Sequence, residues 1–326
     1  MIFFLIYSVA VNKGKVTMKS RLLVIGSSNI DFVCRMKRVP ERGESMVSED
    51  TYAFVPGGKG ANSAVAAARL GADVVFCSRV GNDSYGNQLS EKYENEGIDT
   101  RFVIKDKTAR TGLAAIMVEE TGHNRIVVYP GANYNLCMND VGSAFTTYPD
   151  ALLMQLEIDT ELVISATKMA EEKGIKTVLD AGPARADFPL ESLDKLEILS
   201  PNGTETQILT GIMPNSSENC LRACVNLMNR VSAKYIVLKL GERGCFIYDG
   251  IHCTHVAPVD IGTAVDTTAA GDSFTAALTY MYCENGGDIV KACEFANAVG
   301  AYVVTKPGAF SSIPTRKELE DFLKGK

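Results

Sequence analysis

The stretch AVDTTAAGDSF, residues 264–274, sets a carboxylate, Asp272, directly after four small residues, Thr268, Ala269, Ala270 and Gly271. FTAALTYMY follows at once, and its spacing predicts a helix with Phe274, Ala277, Leu278 and Met281 on one apolar face. Ala270, Gly271 and Asp272 fall in its first turn. Amides there lack intrahelical acceptors and favour an anion, and small side chains leave them open to a ligand. A phosphate on those amides with a carboxylate beside it makes a phosphoryl-transfer site. Asp272 would take the proton of an attacking hydroxyl, and the amides would stabilise the transferring group. Taken alone, the stretch also fits an Asp272 that only complements the helix dipole.

A second stretch, VPGGKGANSAV at residues 55–65, offers glycines and polar groups together. Gly57, Gly58 and Gly60 permit close backbone approach, and Lys59 and Asn62 stand just before a helical pattern. It lacks the Gly-Lys-Ser/Thr spacing of a Walker A loop, and no dinucleotide fingerprint follows a strand. As a bare pattern GGKGAN also fits a turn and helix cap.

These residues need elements to hold them. Apolar runs at 21–29, 73–81, 151–157, 176–182, 197–202 and 235–241 each end in a polar residue or glycine. Runs of this length suit strands buried on both faces. Helical patterns lie between them: NSAVAAARLGA stops at Gly71, and TELVISATKMAEEKG ends in a basic residue and glycine. The alternation predicts a three-layer α/β core, a mostly parallel central sheet flanked by helices. In such sheets ligands sit beyond the carboxyl ends of the strands. Asn29, Asp31, Glu157, Asp180, Asn202 and Gly241 fall there. Any one of them could simply cap a helix. As a set they suit a polyhydroxylated ligand, since each carboxylate accepts hydroxyl hydrogen bonds.

Two regions break the alternation, at about 32–56 and 110–130, and both read as antiparallel, partly buried strands. The second turns at Gly122. Together they predict a small β-sheet lid. Near the end, GCFIYDGIHCTHVAPV carries a DG hairpin signal.

The bulk composition excludes several classes. The 326-residue chain has a net charge of −6, which disfavours nucleic acid and anionic membranes. Nine scattered Cys without a CxxC, and three His, argue against a zinc site and suit a reducing cytosol. Cys220 and Cys224, one helical turn apart, read as core residues. The leading run MIFFLIYSVAV is too short to span a bilayer, and Met18 begins an ordinary cytosolic start. Residues 1–17 are therefore expected to be an extension outside the fold, with 18–326 as one domain and a cytoplasmic location.

In chain order, GSSNID (26–31), PERGE (40–44), GGKGAN (57–62), PGAN (130–133), LLMQLE (152–157), PNGTE (201–205), LGERG (240–244) and DTTAAGDSF (266–274) resemble the ribokinase-like (PfkB) sugar kinase family. The likeness covers roughly residues 20–325, and GGKGAN, PGAN and AAGD are most similar to the ribose-phosphorylating members. The resemblance implies transfer of the ATP γ-phosphate to a sugar hydroxymethyl. It makes Asp272 the base and the Ala269, Ala270 and Gly271 amides the anion hole. It makes Asn29, Asp31, Gly57, Gly58, Lys59, Asn62 and Glu157 sugar-side residues. Asn202 and Glu205 fall to the phosphates and magnesium-bound water, Lys239, Gly241 and Gly244 to the nucleotide loop, and Asn297 to the adenine side. It further implies K+ activation through Asp266, Thr268, Val303, Lys306, Gly308 and Ser312. Magnesium keeps much of its water, so one acid can suffice.

Three positions depart from the family pattern. DAGPA stands for NPAPA at 180–184, Gly203 for the usual Glu, and Lys239 for a small hydroxyl residue. These bear on nucleotide detail and on ribose as the sugar. A sister kinase for deoxyribose, another pentose or a nucleoside is the alternative, and a non-catalytic sugar-binding protein a third. Exposed Phe54, Val127 and Val128 on a thin lid would suit a homodimer.

Overall fold

The computed structural model describes residues 19–48, 50–121 and 123–325. The expected extension at 1–17, the start at Met18 and the turn at Gly122 lie outside the described residues. In chain order the strands are β1 (Arg21–Ile25), β2 (Asn29–Met36), β3 (Tyr52–Gly57), β4 (Asp73–Gly81), β5 (Asp99–Asp106), β6 (Gly112–Glu119) and β7 (Asn124–Tyr129). They continue with β8 (Ala151–Met154), β9 (Lys176–Asp180), β10 (Leu196–Ser200), β11 (Ala233–Lys239), β12 (Cys245–Tyr248) and β13 (Cys253–Val256). The helices are α1 (Lys59–Leu70), α2 (Ser84–Asn95), α3 (Met138–Ala144), α4 (Thr160–Glu172), α5 (Gly203–Thr210), α6 (Ser217–Met228), α7 (Ala270–Glu284), α8 (Ile289–Val303) and α9 (Arg316–Lys324).

The main sheet has nine strands in the order β13-β12-β11-β10-β9-β8-β1-β4-β5. From β11 to β5 every neighbouring pair is parallel. Successive side chains of a strand face opposite sides, so β1 serves two cores. Leu22 and Val24 pack with α1, α7 and α8, while Leu23 and Ile25 pack with α4 and α6. Each such fully buried leucine contributes about 1.5–3 kcal/mol. The expected DG hairpin forms as β12–β13, and Cys220 and Cys224 are buried in the α6-side core.

Two helices differ from the sequence reading. The expected stripe on α7 is replaced by burial nearly all round, from Asp272 to Tyr280. The helix is packed against both α1 and α8, so it has little solvent face to spare. Helix α1 begins earlier than its apolar pattern, at Lys59, so Lys59 and Asn62 lie in its first turn rather than before it. Its start is pressed onto the β1–β2 loop: a Cβ at Gly60 would lie 2.5 Å from the Gly26 carbonyl carbon. Gly58, at φ 93°, turns the chain into the helix.

The second sheet runs β3-β2-β6-β7 and forms the lid. Its outer pairs are antiparallel as expected, but the central pair β2–β6 is parallel. β2 and β6 leave the main sheet after β1 and β5, which point the same way, so they run side by side in one direction. Phe54 stacks on Phe32 at 4.9 Å and on Tyr85 of α2 at 5.6 Å, tying the lid to the core. Among the described residues no helix is long and apolar enough to cross a membrane.

Candidate active site

The N-terminus of α7 lies at the centre of the site. Ala269 enters it with a left-handed backbone, φ 60°, which a small residue tolerates best outside glycine and Asn/Asp. The Ala270 N–H already donates to Thr267 O at 3.2 Å. The N–H groups of Ala269, Gly271 and Asp272 have no acceptor among the described residues. The Asp272 side chain is buried. Asn62 Nδ2 donates to its Oδ2 at 2.8 Å, and Lys59 Nζ lies 3.5 Å from its Oδ1. The Asp272 charge, followed by Glu157, drives the Lys59 pKa well up against the opposing effect of burial, so the ammonium stays charged.

A polar rim faces this carboxylate. Asp31, on β2, has its pKa raised to about 7, first by burial and then by the charges of Glu157 and Asp272. Lys59 joins two of these acids directly, its Nζ 3.5 Å from Asp272 and its N–H donating to Glu157. Gly57 opens the wall beside them, since a Cβ there would sit 2.1 Å from Asp31 Oδ2. Glu157 Oε2 accepts from Ser27 Oγ at 2.6 Å and from the Lys59 N–H at 3.0 Å, which fixes the start of α1. Asn29 Oδ1 accepts from Asn133 Nδ2 at 2.8 Å, and Asn133 Oδ1 in turn accepts from Ser28 N–H at 2.8 Å.

A second group adjoins the other side of α7. Asn202 caps α5 through a reciprocal box with Glu205, accepting from Glu205 N–H at 2.9 Å while Glu205 Oε2 accepts from Asn202 N–H at 2.7 Å. Glu205 is buried, and burial pushes its pKa up despite the nearby Lys239. Its Oε1 remains toward Gly182, where a Cβ would come within 2.4 Å. Asp180 ends β9, and its Oδ2 accepts from Lys239 Nζ at 2.5 Å and Thr275 Oγ1 at 2.5 Å.

The remaining sequence-selected residues lie around this centre. Gly241 and Gly244 both take positive φ, 61° and 78°. Gly244 packs on Val256 O, and Asn297 Nδ2 donates to Val256 O at 3.2 Å and Ala257 O at 2.9 Å, so the two converge on the end of β13. Asp266 accepts from Thr268 N–H at 2.9 Å and Gly308 N–H at 2.8 Å, joining the loop before α7 to the loop after α8. Lys306 turns its ammonium to Tyr302 Oη at 2.5 Å. Ser312 Oγ donates to Ala309 O at 2.8 Å, and the Val303 carbonyl accepts from Lys306 N–H at 3.3 Å.

Sequence reasoning gave no role to Ser27, Asn133 or Thr275. Ser27 and Asn133 stood inside quoted motifs, but nothing local showed which neighbour they would hold. Thr275 is one helical turn beyond Gly271, on the side facing Asp180, and only its spacing could have drawn attention.

The arrangement sets a buried carboxylate beside bare helix amides and a rim of polar side chains. The pattern of the pfkB family carbohydrate kinases matches residues 19–316. The chain belongs to the PfkB carbohydrate kinase family. It is therefore a phosphotransferase acting on an alcohol group. A ribokinase of Haemophilus influenzae is 37% identical over 94% of this chain and 99% of its own length. A deoxyribokinase of Salmonella typhi is 31% identical over 93% of this chain and 98% of its own. The structure of Arabidopsis thaliana ribokinase complexed with ribose and ATP superposes with a TM-score of 0.85 at 30% identity, covering 94% of this chain and 99% of that one. This PfkB kinase thus has the α/β core and separate four-stranded sheet expected from its sequence.

Proposed function

We propose that the chain transfers the γ-phosphoryl group of ATP to the primary hydroxyl of D-ribose, giving D-ribose 5-phosphate and ADP. The single observation that carries this reading is the Asp272 carboxylate beside the open amides of α7, joined through Lys59 to Glu157 on the polar rim. A pentose on that rim would offer its hydroxymethyl to Asp272. The hydroxyl oxygen bonds to the γ-phosphorus, the bond to the ADP oxygen breaks, and Asp272 takes the hydroxyl proton. Of the Ala269, Ala270 and Gly271 amides expected as the anion hole, Ala270 is held by Thr267, so Ala269 and Gly271, with Asp272 beside them, receive the equatorial charge. Asn29, Asp31, Gly57, Gly58, Lys59, Asn62 and Glu157 hold the sugar side. Asn202, Gly241, Gly244 and Asn297 form the nucleotide side. Closure of the lid over the sugar excludes water and limits idle ATP hydrolysis.

Magnesium suits Glu205. Among the described residues no cluster of three His, Cys, Asp or Glu could hold a metal by itself, but magnesium takes few protein ligands beside phosphate and water. The Glu205 Oε1 toward Gly182 supplies such an oxygen. When bound, the ion neutralises charge on the β- and γ-phosphates. A potassium ion suits the oxygens of the Asp266, Thr268, Val303, Lys306, Gly308 and Ser312 loops, which Asp266 already links. Exposed Phe54, Ile126, Val127 and Val128 on the lid support a homodimer. The cytoplasm is the expected location.

A panel of ribose, 2-deoxyribose, other pentoses and nucleosides with MgATP tests the reading. The highest kcat/KM is expected with ribose. Deoxyribose is the second reading, favoured by the deoxyribokinase relative. Asp31 bears on it, since a site that bonds hydroxyls rejects analogues lacking one. No phosphoryl transfer to any member of the panel would overturn both.

A further inference from the structure

Asp180 and Lys239 end two strands, β9 and β11, with β10 between them. Their side chains nevertheless meet, Nζ to Oδ2 at 2.5 Å, with only 8% and 2% of those side chains exposed. Thr275, from α7, completes the group: its hydroxyl donates to Asp180 and accepts from Lys239 Nζ at 3.3 Å. A buried ion pair gains little stability over neutral groups of similar size, because both charges must leave water. Packing alone therefore gives little reason for a lysine here.

Its position gives a better one. A Cβ placed on Gly271 would lie 3.6 Å from Lys239 Nζ. The ammonium thus rests against the first turn of α7, beside the open Gly271 amide. It has three N–H donors, and the described residues take two, through Asp180 and Thr275. Glu205, whose free oxygen faces Gly182 next to Asp180, is close enough to feel the lysine charge.

We propose that Lys239 is a further catalytic residue, a fixed cationic arm of the anion hole that bonds the transferring phosphoryl group, with Asp180 and Thr275 as its positioning residues. The inference rests on the kinase reading above and adds a charged donor to amides that are neutral. The two departures at 180 and 239 then form one device: the acid aims the lysine and prevents it from folding onto Glu205.

The test uses the full chain with ribose, ATP and magnesium. Lys239→Met is expected to lower kcat about a hundredfold, the cost of losing one anion-hole donor, with the ribose KM within about twofold of wild type. Calorimetry should show weaker binding of ADP with aluminium fluoride, a mimic of the transferring group, and nearly unchanged binding of ADP alone. Asp180→Asn, which keeps the lysine but releases it, should give an intermediate kcat. If Lys239→Met does not fold, the double variant Asp180→Asn with Lys239→Thr carries the test, since it leaves no unpaired charge. A folded variant lacking the lysine with wild-type kcat and wild-type aluminium fluoride binding overturns the inference, even if its Tm falls. A wild-type chain that phosphorylates no sugar overturns the kinase reading instead, and the binding arm still decides the role of Lys239.

Discussion

Asn62 Nδ2 and Asp272 Oδ2 are 2.8 Å apart across 210 residues of chain, joining the first turn of α1 to the first turn of α7. The amide donates to the carboxylate oxygen and so fixes the orientation of the Asp272 side chain. With Lys59 Nζ 3.5 Å from the other oxygen, both ends of the Asp272 carboxylate are held.

Replacing Asp272 by Asn removes the proton acceptor and keeps the shape. The expected outcome is a folded protein with kcat lowered by about 10²–10⁴, the range for losing a general base. Steady-state kinetics with a thermal melt checks it. Near-normal turnover would rule out the base.

Asn62→Ala should act through orientation. A hydrogen bond to a charged group is worth about 1.5–3 kcal/mol, so kcat should drop about tenfold or more while the ATP KM stays close to wild type. An equal loss through ribose KM alone would assign Asn62 to sugar binding only.

Asp31 should make ribose binding pH-dependent. Its folded pKa is about 7, above the ordinary 3.8. The free protein thus holds a proton that the unfolded chain has lost between those values, and its stability falls as pH rises through that window. Sugar hydroxyls donate to the ionised carboxylate, so ribose Kd should fall as pH rises through about 7. Calorimetric titration from acid to alkaline pH measures both trends, and Asp31→Asn should flatten them.

Gly57→Ala would place a Cβ 2.1 Å from Asp31 Oδ2 and force that carboxylate aside. The ribose KM should rise about tenfold or more, the loss of a charged hydrogen bond, with a smaller change in kcat. An unchanged KM would show that Asp31 does not contact the sugar.

Asp266→Ala should loosen the loop before α7, because the Asp266 side chain joins Thr268 to Gly308. Turnover in wild type is expected to be higher in potassium than with bulky organic cations, and this difference should disappear in the variant. Equal wild-type rates in both salts would remove the cation assignment.

The parallel core, the DG hairpin and the α7 start were legible because their causes are local. Continuous apolar runs mark buried strands, turn residues set hairpins, and small residues ahead of an apolar pattern mark an open helix end. Of the acids expected along the sheet rim, Asp180 ends β9 and Glu157 follows β8, as their place after apolar runs implied, whereas Asp31 lies near the start of β2 in the small sheet, a placement that only the tertiary structure decides. The parallel β2–β6 pairing was not, since it depends on two strands leaving a common sheet in one direction. Nor was the full burial of α7, which α1 and α8 impose from outside. Ser27, Asn133 and Thr275 acquired roles only through residues far along the chain. The amino-acid order thus determined which groups stand at element ends. Tertiary packing decided which of them meet, and with that the raised Asp31 pKa and the Asp180–Lys239 pair, because burial and Coulomb forces act through space rather than along the chain.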